Sequence, residues 1–89
     1  MLNIVSLNNT EATVYTAPSG KTVFLTLDIF PTSGTPNVTV KINNGSDYTY
    51  YTASSIADML SFKLAIKDGQ LIKVQTNGQV NVFVYGIEV

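Results

Sequence analysis

The chain contains no histidine, cysteine, tryptophan or arginine. Without histidine or cysteine, a Ser–His or Cys–His nucleophile cannot be built. A serine–lysine arrangement is compatible with the composition, but no motif singles out a serine for it. The lack of cysteine also excludes a disulfide framework. A structural zinc site, which draws on cysteine and histidine, is excluded with it. Charge is scarce as well. Only 12% of residues are charged while 45% are hydrophobic, and that charged share is about half the usual one. Five lysines and six acidic residues are scattered to a net charge of −1. There is no basic patch to neutralise phosphates, which argues against nucleic-acid binding. No apolar run approaches the ~20 residues of a membrane-spanning helix. The N-terminal residues lack the basic region and long apolar core of a signal peptide. Three Asn-x-Ser/Thr triplets, at Asn8, Asn37 and Asn44, are then chance products of a Thr- and Asn-rich composition.

What is present is alternation. A chain of 89 residues reads as a single domain, 1–89. A domain of that size buries a modest core and usually needs a further stabiliser. With disulfides and zinc excluded, a partner chain is the remaining one. The sparse charge points the same way.

Period-two runs separated by Gly, Pro and Asn turns predict about eight strands: Leu2–Leu7, Glu11–Thr16, Lys21–Phe30, Asn37–Ile42, Asp47–Thr52, Met59–Ile66, Gln70–Thr76 and Val80–Glu88. The clearest is Lys21–Phe30, where Val23, Leu25, Leu27 and Ile29 alternate with Phe24, Thr26, Asp28 and Phe30. Ala17-Pro18-Ser19-Gly20 reads as a type I turn and Ala53–Asp58 as a loop or one helical turn. Asn43–Asp47 has calcium-type oxygens, but a single carboxylate without EF-hand spacing marks a plain hairpin turn. Many short strands argue for a sandwich or small barrel, and the fold expected is an all-β, antiparallel β-sandwich, jelly-roll-like or Ig-like. Residues 1–7 are a candidate extended N-terminal arm that adds a strand to a neighbour.

At Asn77-Gly78 a two-residue hairpin would turn the apolar positions of the flanking strands to opposite sides. A three-residue loop, Thr76-Asn77-Gly78, repairs this. It predicts pairing of Val74 with Val80 and Ile72 with Val82, a bulge, and positive φ at Gly78. The other face of that hairpin carries Leu71, Lys73, Phe83, Tyr85 and Ile87. Leu71, Phe83, Tyr85 and Ile87 are therefore candidate interface residues. Tyr48, Tyr50 and Tyr51 form an aromatic cluster, with Tyr48 and Tyr50 expected on one face and Tyr51 on the other. Such a cluster serves packing between subunits or, less often, stacking on a sugar. No catalytic, cofactor-binding or metal-binding residues emerge.

The turn-and-strand segments Tyr15–Thr22, Asn37–Val40, Leu64–Leu71 and Asn77–Glu88 together resemble the small β-sandwich virion proteins of tailed bacteriophages. These are the capsid decoration or cement proteins and related head or tail accessory proteins. The resemblance spans about residues 13–89. It implies a capsid-surface protein made in the host cytoplasm, often a homotrimer, binding the major capsid protein and carrying no catalytic residues. The absence of arginine and the Tyr-rich strand depart from many relatives. A tail, connector or fibre-base subunit is an alternative within virus assembly. A carbohydrate-binding module using Tyr48, Tyr50 and Tyr51 is the alternative outside it.

Overall fold

Alternation decides the strands, and the length of two of them decides the architecture. The computed structural model describes residues 1–89. Six strands are present: β1 (Leu2–Thr16), β2 (Thr22–Ser33), β3 (Val38–Asn43), β4 (Asp47–Ala53), β5 (Leu60–Lys67) and β6 (Leu71–Glu88). All pairings are antiparallel within one sheet of order β4-β3-β6-β2-β5, with β1 along the other side of β6. An extended strand of 18 residues, as in β6, spans about 60 Å. The longest dimension of the molecule is 39 Å. β6 and its companion β1 must therefore bend, and the sheet curls into a half-barrel.

The bend divides the sheet into two halves. In one, Leu71–Thr76 of β6 lies between β3 and Thr10–Thr16 of β1, with β4 outside β3. In the other, Gln79–Glu88 of β6 lies between β2 and Leu2–Asn8 of β1, with β5 outside β2. These are called the β3–β4 half and the β2–β5 half below. The eight segments expected from the sequence are thus all present, but as six strands, because two of them run on through the corner. The candidate arm, residues 1–7, supplies the first part of β1.

The expected hairpin at Asn77-Gly78 is not there. Val74 pairs with Val40 and Ala12, and Val80 pairs with Pro31 and Leu7. The even-numbered apolar set, Ile72, Val74, Val80, Val82 and Val84, points inward along all of β6. That parity fits a three-residue loop and an unbroken strand equally well, so periodicity alone could not separate them. A bulge does occur at this place, but between β6 and β1: Asn77 and Gly78 oppose Asn9. Asn9 carries the positive φ, 49°, and Gly78 does not. Gly78 is required for another reason, since a Cβ there would lie 2.9 Å from Cβ of Pro36. Hydrogen bonds lock the corner. Asn37 N donates to Asn77 Oδ1 at 2.7 Å, and Ser55 N donates to Asn37 Oδ1 at 2.8 Å.

The opposite end is closed by two interlocked turns. Lys67–Gln70 turns through Asp68 and Gly69 at φ 49° and 80°, the signature of a type I′ turn. Its Asp68 Oδ1 accepts from Gly20 N at 3.0 Å. The neighbouring turn runs Pro18–Lys21 with Gly20 at φ 76°. It is shifted by one residue from the expected type I turn and has the left-handed third position of type II. The loop before β5 is irregular, and its Ile56 plugs the core. That core is one cluster of 16 buried apolar side chains filled from both halves.

Candidate interaction surfaces

Cross-strand partners share a face of a sheet. The register therefore assigns each outward side chain to a row. On the outer face of the β2–β5 half, Ile87 lies beside Phe24 and Ala65. The next row is Leu2, Tyr85, Thr26 and Lys63, followed by Ile4, Phe83, Asp28 and Ser61. Ser6, Asn81 and Phe30 complete the grid. Leu2 is 66% exposed and Ile87 is 62% exposed. Phe24, Ile4 and Tyr85 are exposed too. Phe30 and Phe83 stack edge-on, with ring centroids 5.2 Å apart. A folded monomer gains nothing from placing such side chains outside.

One carboxylate sits inside this apolar face. Asp28 is buried, accepting from Ser61 Oγ at 2.6 Å and from Tyr85 Oη at 2.8 Å. The bond to Asp28, with burial and the same negative charge, raises the Tyr85 phenol above its ordinary pKa. Tyr85 thus stays a donor at neutral pH. Beside it, Phe24, Thr26, Lys63, Ala65, Tyr85 and Gly86 line a shallow hollow of about 450 Å³. Gly86 lets the β6 backbone lie close against β2 beside this hollow. A Cβ there would meet the carbonyl oxygen of Phe24 at 2.0 Å.

The outer face of the β3–β4 half is the opposite. Its rows bring Glu11 and Thr13 of β1, Lys73 and Gln75 of β6, Thr39 and Lys41 of β3, and Asp47 of β4 to one side. Lys41 pairs with Glu11 at 2.7 Å, and Lys73 with Asp47 at 3.1 Å. The Asn43 amide and Lys73 hold the Asp47 carboxyl below the usual range, and Glu11 raises Lys41. A polar hollow of about 310 Å³ lies near the corner. Its Glu11 is taken by Lys41, and its Asn37 and Asn77 bind each other. Leu71, expected beside Phe83 and Ile87, falls on this half, half-buried opposite Asn43 and Thr16.

The tyrosines occupy a third place, the free edge of β4. The register between β3 and β4 slips at Tyr50. Tyr51 therefore pairs with Val40 and Tyr48 with Ile42, which puts Tyr48 and Tyr51 on the core side together. This corrects the simple alternation expected for Tyr48, Tyr50 and Tyr51, which a bulge interrupts. Tyr50 and Tyr51 reach across the mouth of the half-barrel to Phe62 of β5, at centroid distances of 5.8 and 5.1 Å. Tyr48 is 64% exposed, and Met59 is exposed just before β5.

Phe83, Tyr85 and Ile87 are thus brought together on one face, whereas Tyr48, Tyr50 and Tyr51 form a separate cluster. Leu2, Ile4, Phe24 and Phe30 join the first group and were not singled out from the sequence. The signal was there in Lys21–Phe30, where Phe24 and Phe30 sit opposite the aliphatic set on a strand that already has its core side.

No family model matches the chain, and no curated protein matches it. Two solved structures share its fold. Both are crystal structures of a pentameric capsid protein isolated from metagenomic phage sequences. They superpose with TM-scores of 0.56 and 0.57 at 14% identity, over 98% of this chain. The chain spans 63% and 62% of their lengths, less than two thirds of each. At that identity the likeness is one of fold.

Proposed function

We propose that this chain is a structural protein of a phage virion that self-associates through the outer face of the β2–β5 half and reinforces the capsid as a decoration or cement subunit. The observation that carries the reading is that face: it gathers Leu2, Ile4, Phe24, Phe30, Tyr85 and Ile87, all exposed, on a chain in which only 12% of residues are charged. Monomeric proteins rarely expose large contiguous apolar patches, and such patches mark contact sites. The fold neighbours are oligomeric capsid proteins by description, which favours the same kind of role here. They are pentamers, so a ring of five replaces the expected trimer in our reading.

The mechanism is contact without catalysis. Burial contributes about 25 cal/mol per Å² of apolar surface. A ring holds several capsid subunits at once, so weak individual contacts combine through effective concentration. The sugar-platform reading has less support, because Tyr50 and Tyr51 pack on Phe62 at interplanar angles of 83° and 57°. A flat stacking surface would leave those rings free.

The test is the solution mass by light scattering, followed by sedimentation with capsids. A mass near five times 9.6 kDa and co-sedimentation with capsid shells are expected. A protein that stays monomeric at high concentration and does not co-sediment would end this reading.

A further inference from the structure

The exposed apolar side chains raise a question of symmetry. Met1 and Val89 lie at the chain ends; every other exposed large apolar side chain belongs to one of two clusters. One is the face of Leu2, Ile4, Phe24, Phe30, Tyr85 and Ile87. The other is the β4–β5 edge of Tyr48, Tyr50, Tyr51 and Met59. A closed ring is built head to tail, so each copy must present two different surfaces that fit each other. A patch that packs on itself instead gives a twofold dimer and stops there.

We propose that the apolar face of one copy receives the tyrosine edge of the next copy. The inference rests on the ring reading above and specifies its contact. Shape fits it: the face holds the hollow of about 450 Å³ beside Phe24 and Tyr85, and the edge holds the projecting Tyr48. Tyrosines seated in pockets are typical anchors of protein interfaces. Charge fits it too. Lys63 lies on the face and Asp58 beside the edge, and neither has an ion-pair partner in its own chain. The polar face of the β3–β4 half, with its lysines already paired, is left for solvent or shell.

The absence of cysteine from the chain provides a clean experiment. Phe24→Cys and Tyr48→Cys are made separately and oxidised alone and mixed. A disulfide-linked dimer in the mixture, with none in either variant alone, is expected. Cross-linking of Phe24→Cys to itself would mean face-on-face packing and overturn the proposal. A second pair reads mass instead. Ile87→Lys disables the face and Tyr48→Lys the edge, both at sites exposed in the single chain, and circular dichroism checks that each is folded. Each alone should be monomeric, and the mixture should form a one-to-one dimer through its one intact contact. A Tyr48→Lys protein that still forms full rings would overturn the edge assignment while leaving self-association standing. A wild-type protein that is monomeric, together with no cross-link in the mixture of Phe24→Cys and Tyr48→Cys, would overturn both.

Discussion

The two halves of this sheet share two strands and a core, yet their outer faces have opposite chemistry. Within β6, the outward residues are Leu71, Lys73 and Gln75 before the corner and Asn81, Phe83, Tyr85 and Ile87 after it, so that the charge falls in the first half and the aromatic rings in the second. Within β1, they are Leu2, Ile4 and Ser6 before the corner and Glu11 and Thr13 after it. The inward residues do not change character: Ile72, Val74, Val82 and Val84 are all fully buried. Folding requires only the inward set. The β3–β4 half shows that the outward set can be polar without harm to the sheet. The apolar outward set of the β2–β5 half is therefore not explained by folding, and a contact beyond the chain is what explains it.

The comparison breaks first if the close backbone approach in the β2–β5 half is disturbed. Gly86→Ala places a Cβ 2.0 Å from the Phe24 carbonyl oxygen. A loss of about 3 kcal/mol or more is expected in denaturant melts, at or beyond the usual cost of overpacking. A melt that matches wild type would mean the strands can move apart freely there. Next come the cores, where the halves should behave alike. Leu27→Ala and Ile72→Ala each remove a fully buried side chain and should each cost about 2–5 kcal/mol. A half that tolerates its substitution would show that the two do not unfold together.

The outer faces should then separate the halves. Phe24→Ser combined with Ile87→Ser is expected to lower the oligomer mass while the circular dichroism spectrum stays native. Lys41→Ser combined with Lys73→Ser should leave the mass unchanged and shift the melt barely, because exposed ion pairs contribute little. Assembly lost in the lysine variant and kept in the serine-face variant would reverse the roles assigned to the two halves.

The smallest effects concern pH, and their signs differ between the halves. Asp47 is held low in the folded state. Its contribution is present above the ordinary carboxylate pKa and is lost as pH falls through the depressed folded value. Tyr85 is held high. Its contribution is present below the ordinary phenol pKa near 10 and is lost as pH rises through the raised folded value. Asp47→Asn should therefore flatten the acid limb of a melting-temperature profile, and Tyr85→Phe the alkaline limb. An alkaline limb unchanged in Tyr85→Phe would remove the bond to Asp28 as its source.

Much of this was legible in the sequence, and the failures have physical causes. Strand positions follow from period two, which is why every expected segment lies in a strand. Continuity does not follow from it. Asn77-Gly78 is good turn chemistry, and the strand uses the same two residues to bend instead of reversing. The partner of that bend is Asn9, far away in the chain and marked by nothing except a residue type that tolerates positive φ. The tyrosine faces were misread because a one-residue bulge leaves no trace in composition. The apolar face was half legible. Phe83, Tyr85 and Ile87 stand on one strand, but Leu2, Ile4 and Phe24 join them only once β1 and β2 are known to flank β6.

That central position of β6 also governs when the protein can exist. It is the last of the six strands to be synthesised, and β1, the first, has no other partner. During translation β1 must wait, unpaired, until the rest of the sheet has been made. The hairpin of β3 and β4 can form early, but the corner cannot close around it. Sheets whose contacts span most of the chain fold slowly and expose their edges meanwhile. A folding experiment should accordingly find no stable intermediate built from the first five strands, and a nascent chain halted before Leu71 should be open to proteases along its whole length.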